Sequence, residues 1–139
     1  MRITLDRQNT AVHLKATNED GASIHIDGSP SLGGENKGLR PMQLLLAGIG
    51  SCSAMDIVSI LKKQKQQLED IKIIIDGQRE KDKIPSLFEK IHVHFILTGE
   101  LDEKKAKRAI DLSMNTYCSV IKIIEKTAHI TYSFELKKN

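Results

Sequence analysis

A chain of 139 residues suffices for one domain with one core, folding covering about two-thirds of the surface that the unfolded chain exposes. Hydrophobic residues at 40% and charged residues at 28% exclude the composition of a disordered chain. A net charge of +3, with aromatics at only 4%, argues against a nucleic-acid binder, which needs a strong basic surface and rings on which bases stack.

The segment Met1-Arg2-Ile3-Thr4-Leu5-Asp6 alternates apolar and polar residues and lacks the apolar run of a signal peptide. The longest weakly polar stretch, Leu44 to Ile49, falls short of the roughly 20 residues that span a bilayer. A soluble, cytoplasmic protein with no membrane partner is expected. In that compartment two cysteines, Cys52 and Cys118, are reduced, and either reactive or buried and inert.

Three short strands open the chain as a meander. Ile3 and Leu5 alternate with polar neighbours, as do Val12, Leu14 and Ala16, and then Ile24 and Ile26, which predicts one buried face and one wet face. Thr17 to Gly21 forms a hairpin connection, and Gly28 to Gly38 a longer loop. One long helix follows from Pro41 to about Gln66, with proline in the first turn and lysines near the end. Around Cys52 it carries Gly48, Gly50, Ser51, Ser53 and Ala54, although each glycine costs a helix interior about 1 kcal/mol relative to alanine. Small side chains there let a backbone or ligand come close, so the helix is expected to be central and buried.

Ile71 to Ile75 and Leu87 to Thr98 are strands, the first continuing into Asp76 to Ser86 before the chain turns. A second helix runs from an N-cap at Asp102 to Tyr117, with Ala106, Ala109, Ile110, Ser113, Met114 and Tyr117 as its inward stripe. Cys118 ends it. A short helix from Ser119 to Lys126 and a strand from Ala128 to Leu136 complete a single α+β domain, residues 1–139, in the order βββ-α-ββ-αα-β. The basic stretches Lys62 to Lys65 and Lys104 to Arg108 fall on helices and read as solvated faces.

The cysteines lie too far apart in sequence for a local CxxC motif, so only the fold can bring them together. Cys52 sits in a patch open to a small substrate, and Cys118 precedes a helix whose amide donors and dipole favour a thiolate. His92 and His94 share one strand face, a His-x-His pair that would bind zinc or copper only if His13, His25 or a cysteine joined it; the reading preferred is that all five histidines fall on the polar alternation of their strands, with no metal.

The stretch Arg40-Pro41-Met42-Gln43-Leu44-Leu45-Leu46-Ala47-Gly48-Ile49-Gly50-Ser51-Cys52 resembles the cysteine helix of the OsmC/Ohr family, the osmotically inducible and organic hydroperoxide resistance proteins. Tyr117-Cys118-Ser119-Val120 resembles the family's second cysteine segment, and the element order matches over nearly the whole chain. The resemblance implies antiparallel sheets around a long central helix, an intertwined homodimer, and thiol-dependent reduction of organic hydroperoxides or hydrogen peroxide in oxidative-stress defence. It assigns Cys52 the peroxidatic role and Cys118 the resolving one, with an external dithiol as reductant and no metal or other cofactor.

Family peroxidases carry a glutamate directly after the helix-opening proline, which orients an arginine onto the thiolate. This chain has Met42 there, with Arg40 and Arg7 as candidate cations. Met42, Gly48 and Ile49 are the expected pocket residues. A relative that has lost catalysis and binds a small apolar ligand or partner at the Cys52 pocket is the alternative.

Overall fold

The alternating segments at the start of the chain pair as β1 (Ile3–Arg7), β2 (Leu14–Asn18) and β3 (Ser23–Ile26), an antiparallel meander in that order. The computed structural model describes residues 1–138. Asn18 sets the β2–β3 turn: its side-chain oxygen accepts the backbone N–H groups of Asp20 (3.0 Å) and Ala22 (2.9 Å), while Gly21 takes φ of 84°. The face that the pattern predicts to be buried is open. Ile3, Leu5 and Ile24 are 52–54% exposed and line an apolar groove with Leu44 within this first unit, Met1–Leu45.

The loop after β3 folds around one carboxylate. Asp27, only 1% exposed, accepts the backbone N–H groups of Gly28 (2.8 Å), Glu35 (3.0 Å) and Lys37 (3.1 Å). The Lys37 amide does most to hold it below the ordinary carboxylate range, aided by the other two amides and opposed by burial.

Helix α1 (Pro41–Lys63) is capped at both ends by features of its sequence. Gln43 reaches back to accept the Arg40 N–H (3.0 Å), half of a capping box, as Arg40 C=O receives the first helical bond from Leu44 (3.1 Å). At the other end Lys65 adopts φ of 55°, with bonds from Gln66 N–H to Leu61 C=O and from Lys65 N–H to Lys62 C=O (both 3.0 Å). That is a Schellman motif with lysine in place of glycine. It stops the helix at Lys63, before the predicted end.

The remainder, from Leu46 onward, is the second unit. Its sheet is β4 (Gln67–Arg79), β5 (Phe88–Glu100) and β6 (His129–Lys137), in that order, with Ile73 opposite Phe95 opposite Phe134. Ile91, Val93, Phe95 and Leu97 of β5 are almost wholly buried, as are Ile49, Ile57 and Leu61 of α1. Each such side chain contributes about 1.5–3 kcal/mol of transfer free energy. By length and composition α1 could cross a membrane, longer in its apolar run than the sequence reading allowed. It is a core helix instead: a methyl added at Gly50 would meet Ile75 Cδ1 at 2.8 Å, so the helix lies directly on β4.

Beyond β5 come α2 (Glu103–Leu112), a π-helical turn (Ser113–Tyr117) and α3 (Ser119–Ile124). Asp102 caps α2, accepting from the Lys105 N–H (2.9 Å). The fold is thus α+β with the anticipated element order. One expectation is corrected: the second sheet is mixed, because β4 and β5 are antiparallel while β6 runs parallel to β5. The intervening helices return the chain to the start of β5, the kind of crossover that parallel pairing requires. At the far end Gly99 has φ of 139°, and a Cβ there would sit 2.1 Å from Gln67 C=O, so only glycine serves at that irregularity in the β4–β5 ladder.

Candidate functional site

Two local features carry Cys118 to Cys52. Gly48 lies one turn before Cys52 on α1, and a methyl there would stand 3.5 Å from Val120 of α3, so the missing side chain brings α3 close to α1 beside the thiol. The π turn does the rest. Its wider bond, from Cys118 N–H to Ser113 C=O (3.0 Å), sets Cys118 at the N-cap of α3 and turns Tyr117 outward. Tyr117 is 56% exposed, a departure from the inward stripe that the other five residues of that pattern keep.

The two cysteines are neighbours, both free. Cys52 is half-buried and Cys118 is 1% exposed. Burial pushes the Cys118 thiol up from its ordinary range, and the neighbouring Cys52 pushes it further; the Ile121 N–H and the Ser53 hydroxyl pull the other way and lose. The thiolate that the helix position led us to expect at Cys118 is therefore not its resting state. Desolvation outweighs a short helix N-terminus.

A small polar chain underlies the pair. Ser53 and Ser113 are fully buried; Ser113 donates to Asp56 Oδ2 (3.0 Å) and Ser53 to Met114 Sδ (3.8 Å). Asp56, one turn beyond Cys52 on α1, is thus engaged by Ser113. Sequence reasoning missed both serines. Their signal was two hydroxyls on the inward stripes of their helices, where an unpaired hydroxyl is costly.

The other candidates fall in different places. Ile49 is wholly buried in the core and Gly48 faces Val120. Arg7, Arg40 and Met42 belong to the first unit. Arg7 ends β1 and Arg40 precedes α1, both exposed; Met42 is half-buried in the first turn of α1. His92 and His94 turn to hydroxyls on β6: His92 contacts Thr131 (2.7 Å) and Ser133 (2.9 Å), and His94 contacts Ser133 (2.8 Å). Among the described residues no three His, Cys, Asp or Glu side chains gather as a metal site.

Residues 34–133 match the family model described as OsmC-like protein. The Escherichia coli protein YhfA is 39% identical over 117 residues, 84% of each chain. A hypothetical protein from Aquifex aeolicus superposes with a TM-score of 0.85 at 34% identity, covering 99% of this chain and 96% of its own. An organic hydroperoxide resistance protein OsmC from Legionella pneumophila shares the fold, with a TM-score of 0.71 at 20% identity over 97% of both chains. With its long helix, its two small sheets and its pair of adjoining cysteines, this chain belongs to the OsmC-like family.

Proposed function

We propose that this protein is a cytoplasmic thiol-dependent hydroperoxide reductase of the OsmC/Ohr kind, working through Cys52 and Cys118. One observation carries the reading: the two free thiols, which come from distant segments, are near enough that Cys52 raises the Cys118 thiol. The Legionella protein's description as an organic hydroperoxide resistance protein adds to it. Cys52, the accessible member, attacks one oxygen of the hydroperoxide as a thiolate. The O–O bond breaks, the alcohol leaves with a proton, and Cys52 becomes a sulfenic acid. The Cys118 sulfur then displaces water from that sulfur, forming a disulfide, and an external dithiol returns both residues to thiols. Overall, one hydroperoxide and one dithiol yield an alcohol, water and a cyclic disulfide.

The activating glutamate of family peroxidases is replaced by Met42, which favours the alternative of a non-enzymatic pocket at Cys52 for a small apolar molecule. Peroxide consumption separates the two. In a coupled assay with cumene hydroperoxide and dihydrolipoamide, the wild type turns over, Cys52→Ser is inactive, and Cys118→Ser consumes about one equivalent before over-oxidising. Equal consumption by wild type and Cys52→Ser would leave the non-enzymatic reading standing.

The homodimer is part of the same proposal. The open face carrying Ile3, Leu5 and Ile24, and the exposed Met55 (73%) and Val58 (43%) of α1, are apolar surface that a second copy of this chain would cover.

A further inference from the structure

A polar cleft lies between the last turns of α1 and the π turn, within the second unit. Its volume of about 620 Å³ falls in the range of cavities that hold small ligands. Asp56, Ile60 and Lys63 of α1 and Gln64 just after it form one wall, at the i, i+4, i+7, i+8 spacing of a single helix face; Leu112 and the exposed Tyr117 complete it. Three of these residues have bonding capacity to spare. Gln64 Oε1 is the one buried side-chain oxygen or nitrogen without a hydrogen-bond partner among the described residues. An unpaired buried acceptor is costly, and the last torsion of a glutamine is soft, so a donor in the cleft would draw this oxygen out to meet it. Ser113 occupies one oxygen of Asp56, Oδ2 (3.0 Å), which leaves Oδ1 for a second donor. Lys63 forms no ion pair among the described residues.

We propose that this cleft binds a short peptide of dipeptide size, with free ends and apolar side chains. Its ammonium group pairs with Asp56, its peptide N–H bonds to Gln64 Oε1, and its carboxylate pairs with Lys63. Seven residues of helical rise separate Asp56 from Lys63, about 10 Å along the axis. An extended dipeptide spans about 7 Å, and the flexible lysine stem covers the rest. A single amino acid carries both charges on one carbon and cannot serve both ends. The peptide's side chains rest on Ile60, Leu112 and the ring of Tyr117, which the π turn sets outside the core. Neither cysteine lines the cleft, so this site goes beyond the peroxidase reading and does not depend on it.

The test is isothermal titration calorimetry of the reduced, full-length protein with leucyl-leucine at neutral pH. Saturable binding is expected, weakened about ten-fold by N-acetylating the peptide and by amidating its carboxyl end, since each removes one charge-assisted contact. Lys63→Gln should weaken leucyl-leucine by a similar factor and leave the C-terminal amide unaffected. Asp56→Asn should weaken leucyl-leucine and leave the N-acetyl peptide unaffected; the asparagine keeps an acceptor for Ser113, and Lys63 is exposed, so both variants retain the fold. Gln64→Met removes the acceptor and should weaken all three peptides. No saturation at millimolar peptide would assign water as the partner of Gln64 and overturn the proposal. Binding unaltered by both Lys63→Gln and Asp56→Asn, or free leucine bound as tightly as leucyl-leucine, would overturn it as well.

Discussion

Asp27 and Cys118 are opposite solutions to burying a titratable group, and each leaves a signature in the pH dependence of stability. Three backbone amides hold the Asp27 carboxylate low, so its contribution is complete above its ordinary value of 3.8 and disappears as pH falls through the depressed one. Asp27→Asn should therefore unfold several degrees below the wild type at pH 6, and the gap should close in acid; a constant gap by thermal melting from pH 6 to pH 3 would show that the amides do not select the charged form. For Cys118 the sign reverses. Its thiol is raised above an ordinary 9.0, so its contribution is whole below that value and is lost as pH rises through the folded-state value. Urea titrations from pH 8 to pH 10.5 should show the wild type losing more stability than Cys118→Ala, the comparison cancelling the raised Lys107 and Tyr132 common to both. Neither role was visible in the sequence. Asp27 is one of many loop acids, and only the path of residues 28–37 shows what its oxygens accept.

At the scale of the element, the glycines of α1 have different reasons for being there. Gly50 lies on β4, and an added methyl would push into Ile75; Gly48 leaves an ordinary 3.5 Å contact to Val120. Gly48→Ala is predicted to stabilise the protein by up to about 1 kcal/mol through helix propensity, whereas Gly50→Ala gains less or loses, as measured by chemical denaturation. A larger side chain, Gly48→Leu, should part α3 from α1 and slow diamide-driven disulfide formation while Cys52 stays alkylatable. Lys65 is the counterpart at the helix end. It holds a left-handed conformation that glycine adopts freely, so Lys65→Gly should add about 1 kcal/mol. The helix itself was legible from Pro41, the apolar run and the terminal lysines. Its end was not, because lysine in a Schellman position carries no sequence mark. The π turn escaped for a related reason: residues 102–117 read as one continuous helix, and the wider turn shows only in Tyr117 leaving the stripe.

For the whole molecule, the element order and the meeting of the two cysteine segments were readable from alternation, small residues and the resemblance. The parallel pairing of β6 was not, since the alternation of Ile130, Tyr132, Phe134 and Leu136 fits either direction, and residues 101–128 decide it by crossing back. The open face of the first sheet shows the same limit: alternation marks Ile3, Leu5 and Ile24 as apolar-facing but does not say what covers them. A second copy should. Light scattering should give twice the mass of 15.5 kDa, and Leu5→Lys should reduce it to the monomer value. The central claim, that Cys52 and Cys118 form a redox couple, is tested most directly by adding one equivalent of cumene hydroperoxide to the reduced protein and mapping its disulfides by mass spectrometry. A Cys52–Cys118 bond formed as the peroxide disappears is the predicted result; slow, separate over-oxidation of the two thiols with no bond between them would contradict it.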